Sequence, residues 1–307
     1  MPYIKATQTA AKPMAYSETD TKLNASAGLA SVGVAALLVA LKLWALWQTG
    51  ALSVAASLAD SAVDLLISAG GLAAILYAAK PADDDHAFGH SSAEDLAALG
   101  QSLVILASAT LIGYSAIHRL MAPEPHPLSA QGAGIVVMGI SALLTGGLIW
   151  WQSRVARATG NKVVAADRLH YLGDLLPTLG AIGALWVSRA FGWGQIDSMV
   201  ALIAAALMIA GALRIGSGAW NALMDRAAPN EVIDGIAKIA REHPGVRGFH
   251  DLKTRTAGAQ IFVNLHIELD GDQTLEQAHD IGAALKRKIL IAYPQTDVII
   301  HKDVWRG

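Results

Sequence analysis

Two pairs of potential metal ligands lie inside apolar stretches of the sequence. The segment SLADSAVDLL carries Asp60 and Asp64, and RLHYLGDLLP carries His170 and Asp174, each pair four residues apart. Residues at i and i+4 share one face of an α-helix. Three carboxylates and one imidazole are suited to a tetrahedral divalent ion. With oxygen and nitrogen donors only, the set favours Zn²⁺, Cd²⁺, Fe²⁺ or Mn²⁺ over Cu⁺.

These acidic side chains are costly in an apolar setting. A charge at the centre of a bilayer costs at least about 2.5–3.5 kcal/mol. A simpler interpretation puts one aspartate of the first pair at a helix end near the membrane surface, but both lie well beyond Gly50. Burial favours the neutral forms of carboxylate and imidazole, and metal binding would expel their protons. The pattern therefore predicts a site where a metal ion exchanges with protons.

Six apolar runs are long enough to position these residues in a membrane, for which about 20 residues are needed. Tryptophans lie near their ends, as at membrane interfaces. Basic residues number nine in the connections on the N-terminal side and two in the opposite ones, which predicts cytoplasmic termini. The N-terminus lacks the apolar region of a cleavable signal. The runs are Ala27–Trp47, Ala51–Ala79, Leu96–Ile117, Gly132–Trp151, Leu169–Val187 and Met199–Trp220.

The charge distribution divides the chain. Residues 226–307 hold 22 of the 48 charged residues, which indicates a membrane domain followed by a soluble one. Periodicity in the soluble part predicts a helix, two strands, a helix with Thr274 as its N-cap, and a last strand, TDVIIHKDV. We therefore predict a tail (1–24), a six-helix membrane domain (25–222) and a small cytoplasmic αββαβ domain (223–307). The net charge of −2 gives no reason to expect a nucleic-acid partner, and the absence of cysteine excludes thiolate chemistry.

Six motifs resemble the cation diffusion facilitator family, close to its bacterial zinc and iron efflux branch. They are SLADSAVD, PADDDHAFGHSSAED, LHYLGD, LMDRAAP, HDLKTRTAG and IIHKD, in the family's order. The resemblance implies a homodimer in the bacterial inner membrane that exchanges divalent cations for protons. It also implies a metallochaperone-like cytoplasmic domain and a transport site at Asp60, Asp64, His170 and Asp174.

The resemblance implies two further metal sites. One matches Asp83, His86 and His90 in the loop after the second span, where both histidines could face one ion if the loop is helical; the alternative is a solvated acidic loop. The other lies at the dimer interface of the cytoplasmic domain. By spacing alone its histidines are expected to be exposed to solvent, and the resemblance reverses that expectation. The implied ligands there are His250, His266, His279, His301 and Asp303.

Two positions depart from the family pattern. Relatives carry a lysine where this chain has Ser92, so Asp225 is expected to lack its usual partner at the dimer seam. Pro177 and Thr178 replace an asparagine common in relatives, and Pro177 could kink the helix. The sequence predicts a Zn²⁺ exporter, with Fe²⁺, Cd²⁺ or Mn²⁺ as alternative substrates. Two other classes of protein compete with this interpretation. One is an intramembrane metalloenzyme, although the sequence contains no HExxH motif. The other is a membrane-anchored metal sensor.

Overall fold

The computed structural model describes residues 17–49, 52–121, 132–191 and 196–307. They form two compact units. One contains Glu18–Ala78 and Ser92–Asn221, and the other contains Ala79–Ser91 and Ala222–Gly307. Most of the predicted tail, residues 1–16, lies outside the described part, and a helix already begins at Glu18 rather than after residue 24.

Over the described residues, the first unit is built from six long helices, and each predicted apolar run falls largely on one of them. Ala51, at the start of the second run, lies outside the described residues. Over the described part, four helices are long and apolar enough to cross a membrane: α1, α2, α3 and α6. The helices are α1 (Glu18–Thr49), α2 (Leu52–Ala78), α3 (Ser92–Met121), α4 (Gly132–Thr159), α5 (Lys162–Phe191) and α6 (Ile196–Leu223).

The bundle buries small residues and exposes large apolar ones. Ala98 and Ala109 on α3 are fully buried, whereas Leu111 on the same helix and Leu143 on α4 are largely exposed. Small side chains let membrane helices approach closely, and exposed leucines suit a surface that faces lipid. Helix α5 is central, since it packs against α1, α2, α3 and α4. This placement brings the side chains of α5 against several neighbours at once.

The second unit contains the predicted αββαβ domain. Helix α7 (Asn230–Arg241) precedes strands β1 (Gly248–Ala257) and β2 (Gln260–Leu269), and helix α8 (Leu275–Ala292) leads to β3 (Thr296–Val304). The sheet order is β1-β2-β3; β1 and β2 are antiparallel, and β2 and β3 are parallel. A parallel pair needs a crossover connection, which α8 provides.

Local sequence explains these elements. Thr274 caps α8, and Gln277 completes a capping box with it, which satisfies two backbone N–H groups at the start of the helix. Gly258 has φ +56° in the turn between β1 and β2, a conformation that glycine adopts readily. On β2, alternate residues Ile261, Val263, Leu265 and Ile267 are buried in the core with Ile236, Leu285 and Ile289 of the two helices.

Candidate metal centres

The transport site predicted from the two apolar helices is partly assembled. Asp64 on α2 and His170 and Asp174 on α5 place ligand atoms within 4.8 Å of one another. His170 Nε2 lies 3.0 Å from Asp64 Oδ1 and 3.9 Å from Asp174 Oδ2. His170 is buried, and Asp174 is half-exposed at its side chain. Two helices thus supply three donors of the types that divalent transition metals prefer.

Asp60 does not join this group. It lies one helical turn before Asp64 on α2 and its side chain is exposed. Lys42 of α1 donates a hydrogen bond of 2.6 Å to Ser61, the residue that follows Asp60. The lysine ammonium group therefore lies near Asp60 in the bundle. The side chains of Pro177 and Thr178 lie outside the described residues.

A buried acid on α5 was missed by the sequence interpretation. Asp167 is 5 % exposed, and its carboxylate accepts hydrogen bonds from Ser31 of α1, Ser68 of α2 and Gln152 of α4. The predicted apolar run began only at Leu169, so Asp167 was assigned to the polar connection before it. The spacing of Asp167, His170 and Asp174, at i, i+3 and i+7, places all three on one helical face and could have revealed it.

The loop between α2 and α3 brings its three predicted ligands together, but by turns rather than by a helix. Asp83 Oδ1 accepts the backbone N–H groups of His86, at 2.7 Å, and Asp85, at 3.1 Å. Its other oxygen lies 3.2 Å from Nε2 of the buried His90. The hydrogen bond from the His86 N–H holds the pKa of Asp83 below its usual value. The loop is therefore not helical at the two histidines, and the three side chains converge without a helix.

An aromatic contact fixes this loop on the α/β domain. The Phe88 ring packs edge-on against Phe262 of β2, with centroids 5.5 Å apart. The Arg255 guanidinium lies 4.2 Å from the Phe262 centroid and 5.6 Å from that of Phe88. Phe262 is consequently buried, although its position on β2 predicts the polar face. The sheet face opposite the core is thus covered by the loop at this end.

The other end of the same face carries a row of histidines. His250 on β1 pairs in register with His266 on β2, and His266 with His301 on β3. Their neighbouring rings lie 5.2 Å and 4.6 Å apart. Side chains at paired positions of adjacent strands point to one face. The sheet register therefore brings together three imidazoles that are far apart in sequence.

Asp303 contacts all three histidines of the row. Its Oδ2 lies 3.0 Å from His266 Nδ1 and 3.4 Å from His250 Nε2, and its Oδ1 lies 3.2 Å from His301 Nε2. The hydrogen bond with His266 and the nearby imidazoles lower the pKa of Asp303, so it is ionised at neutral pH. Ligand atoms of His250, His266 and Asp303 converge within 4.8 Å. His279 is exposed on α8 and does not join this group.

The structure adds one acidic side chain that sequence reasoning missed here. Glu268 Oε1 lies 3.5 Å from His250 Nδ1. It follows His266 by two residues on β2, and this spacing placed it on the same face.

Asp225 has an ion-pair partner within its own chain, which is a different contact from the one at the dimer seam that Ser92 is expected to remove. Arg255 Nη1 lies 3.2 Å from Asp225 Oδ1. Asp225 has φ +56°, which an aspartate tolerates better than most residues. The Arg255 side chain therefore contacts both Asp225, in the segment after α6, and the packed rings of Phe88 and Phe262.

Comparison with known proteins agrees with the two-part organisation of the chain. The family model for the cation efflux transmembrane domain matches residues 28–224, and that for the cation efflux protein cytoplasmic domain matches residues 228–304. The chain therefore belongs to the cation efflux family, a class of multi-pass membrane transporters.

Individual relatives cover nearly the whole chain. The cation-efflux pump FieF of Klebsiella pneumoniae is 39% identical over 285 residues, which are 92% of this chain and 93% of the relative. FieF of Citrobacter koseri is 39% identical over 289 residues, or 93% of this chain and 94% of the relative. A solved MamM-CTD structure covers 25% of this chain and 98% of its own, at 27% identity and a TM-score of 0.24.

Proposed function

We propose that this protein exports a divalent transition-metal ion, Zn²⁺ first among the candidates, from the cytoplasm in exchange for protons. The ion binds Asp64, His170 and Asp174 in the helical bundle, and Asp60 completes a tetrahedral set when α2 adjusts. Fe²⁺, Cd²⁺ and Mn²⁺ are alternative substrates for the same donors. The protein is a secondary transporter of the bacterial inner membrane with cytoplasmic termini, and no step requires covalent chemistry.

The observation that carries this proposal is the contact of Asp64 with His170. It joins ionisable groups of two long helices of the bundle at 3.0 Å. In a membrane-spanning bundle such groups are rare and mark ion pathways. A ligand set assembled from two helices can open when the helices move apart. Metal binding needs the deprotonated ligands, so metal and protons compete for the same atoms.

The cytoplasmic clusters support a regulatory role. The row of His250, His266 and His301 with Asp303, together with His279, is proposed to bind metal at the interface of a homodimer. Metal that binds only the assembled form stabilises it by mass action. The loop cluster of Asp83, His86 and His90 is proposed as a weak site that senses metal rather than one on the transport path.

The test is gradient-driven flux in proteoliposomes with a zinc-sensitive dye inside. Zinc flux that follows an imposed pH gradient, and is lost in Asp64→Asn while zinc binding to the cytoplasmic domain survives, is the expected result. Glu94→Gln, which alters a buried acid of α3 outside the metal clusters, serves as the matched control and retains flux. If Fe²⁺ or Mn²⁺ is transported in place of zinc with the same dependence on Asp64, the transporter assignment stands and only the identity of the substrate ion is revised.

A membrane-anchored metal sensor is the competing class. It predicts metal binding by the cytoplasmic domain without gradient-driven flux of any of these ions in folded protein. The placement of His170 and Asp64 inside the bundle argues against it, because an anchor has no use for buried ligands.

A further inference from the structure

Asp167 is a buried carboxylate that is not among the ligands of the proposed transport site. Both of its oxygens are already engaged: Oδ2 by Ser31 and Gln152, and Oδ1 by Ser68 at 3.3 Å. Among the described residues, no lysine or arginine forms an ion pair with it, and its neighbour Arg168 is directed to Ser153. An ionisable group in a membrane-spanning bundle without a counter-charge is expected to have a function.

The titratable groups around Asp167 are few. On its own helix these are His170 and Tyr171, and α2 contributes Asp64 through its contact with His170. From the other packed helices, Ser31 of α1, Ser68 of α2 and Gln152 of α4 reach it, and all three are uncharged. Among the described residues, the carboxylate of Asp167 is therefore held chiefly by hydrogen bonds from uncharged side chains. Protonation of Asp167 would leave no lysine or arginine of the described residues without its partner.

The partners of Asp167 suit either protonation state. Hydroxyl groups donate or accept, and Ser31, Ser68 and Tyr171 form one connected group: Ser68 lies 2.9 Å from the Tyr171 hydroxyl. The Gln152 amide donates to both Ser31 and Asp167, while its Oε1 is buried and has no hydrogen-bond partner among the described residues. Turning that amide over would offer Oε1 to an O–H on Asp167. The network can thus hold a carboxylate or a carboxylic acid without moving its backbone.

Asp167 lies close enough to the metal cluster to feel its charge. It precedes His170 by three residues on α5, and Ser68 follows Asp64 by four residues on α2, so both helices place the network one turn from the cluster, or about 5.4 Å along the axis. A divalent cation at that distance in a bundle of low dielectric favours the ionised carboxylate. When the cation leaves, the same field is removed and the neutral acid is favoured.

We propose that Asp167, held by Ser31, Ser68 and Gln152, is a proton-binding site separate from the metal ligands, which gains a proton when the metal leaves the Asp64–His170–Asp174 cluster. The proton adds to a carboxylate oxygen and returns to water when a metal ion binds again. This inference rests on the proposed function, because it assigns part of the proton exchange to a residue that never touches the metal.

The experiment counts protons moved per Zn²⁺ in proteoliposomes containing the full-length protein. Asp167→Asn keeps the shape of the side chain and removes its titration. The matched control is Asp95→Asn, which removes an equally buried carboxylate whose charge is already paired with Lys162. The expected result is a ratio lowered by up to one proton and a flatter dependence of flux on pH in Asp167→Asn, with the wild-type ratio in Asp95→Asn.

A double-mutant cycle that combines Asp167→Asn with Asp64→Asn separates a proton-binding role of Asp167 from a structural one. In detergent, Zn²⁺ binding to the wild-type protein is expected to release more protons than binding to Asp167→Asn. In the Asp64→Asn background the two should release equal numbers, since the cluster no longer holds the ion. An unchanged proton count and pH dependence in Asp167→Asn would overturn the proposal, as would loss of zinc affinity at an unchanged proton count, which identifies a positioning residue.

Infrared spectroscopy provides a readout that does not require transport or a folded Asp167→Asn protein. A carboxylic acid C=O band that shifts in Asp167→Glu, and weakens when Zn²⁺ is added to the wild type, supports the proposal. A wild-type spectrum without a band sensitive to this substitution, at any pH where the protein is folded, contradicts it. If wild-type protein shows no gradient-driven flux, the proposed function fails, and the infrared result still decides whether Asp167 binds a proton.

Discussion

The carboxylate of Asp303 on β3 lies 3.0 Å from Nδ1 of His266 on β2, and it also contacts the flanking His250 and His301. One acidic group therefore joins the three strands of the sheet through their histidines. The contacts of Asp303 with the histidines already hold the potential donor atoms close together. A metal ion bound among these side chains would replace those contacts. Pre-organised donors lower the ordering cost of binding.

Asp303→Asn is expected to weaken zinc binding at the cytoplasmic domain by at least about 10–100-fold, the range seen even for residues that only support ligands. Isothermal titration of the full-length protein measures this. Asp297→Asn, on the same strand but beside Phe262 in the register, is the matched control and should bind zinc normally. Equal affinities for the two variants would exclude Asp303 from the site.

In the loop cluster, His90→Gln and His86→Gln should differ in their effects on folding. Both remove a donor and are expected to abolish metal binding at the loop. His90 is buried and contacts both Asp83 and the Lys80 carbonyl, whereas His86 is exposed. Hydrogen exchange across residues 79–91 should therefore quicken in His90→Gln and stay near wild type in His86→Gln. Similar exchange in both variants would show that His90 does not order the loop.

Phe88→Ala is expected to loosen the loop from the sheet. An aromatic pair contributes roughly 0.5–1.5 kcal/mol beyond its buried area, so local opening should rise by about 2–10-fold. Hydrogen exchange of residues 79–91 reports this directly. Phe249→Ala removes a phenylalanine of the same domain that lies under Arg241 instead, and it should leave the loop unchanged. A loop as well protected in Phe88→Ala as in the wild type would contradict the assignment.

Arg255→Lys tests whether the joint contact with Asp225 and the two rings needs a guanidinium. A lysine keeps the charge but cannot stack a planar group on the rings. Thermal unfolding of Asp225→Ala, Arg255→Lys and the double variant forms a cycle. Because Arg255 also stacks on Phe262, its single variant should lose more stability than Asp225→Ala. If the two single variants lose equal stability and the double variant loses no more than either, the contact of the Arg255 guanidinium with Asp225 accounts for the whole loss.

The Arg247–Asp270 pair predicts a pH dependence of stability. Arg247 lowers the pKa of Asp270 through their hydrogen bonds, so the pair stabilises the fold above the ordinary carboxyl pKa of about 3.9. This contribution is lost as the pH falls through the lowered folded-state pKa. Asp270→Asn should thus lower the unfolding midpoint at neutral pH, and its effect should shrink as the pH falls below the ordinary carboxyl pKa. A difference from wild type that persists in acid would place its cause elsewhere.

Sequence periodicity predicted much of this architecture because it depends on local rules. The αββαβ order and the alternation along β2 were confirmed, and so was the capping role of Thr274. The pairing of His250 with His266 and His301 depends on register between strands, which no single strand encodes. Asp167 was missed because hydropathy ends a span at the first charges, whereas neighbouring helices can satisfy a carboxylate. The Arg255–Asp225 pair joins residues 30 apart and has no sequence signature.

The parallel pairing of β2 with β3 has a consequence for biosynthesis. His250 and His266 lie on the hairpin that a ribosome makes first, but His301 and Asp303 follow only after α8 has crossed the sheet. A nascent chain that has reached residue 270 holds just two imidazoles of the row. The full row is therefore assembled only when β3 has joined the sheet, so the metal site proposed here would be incomplete on a nascent chain until the domain has closed.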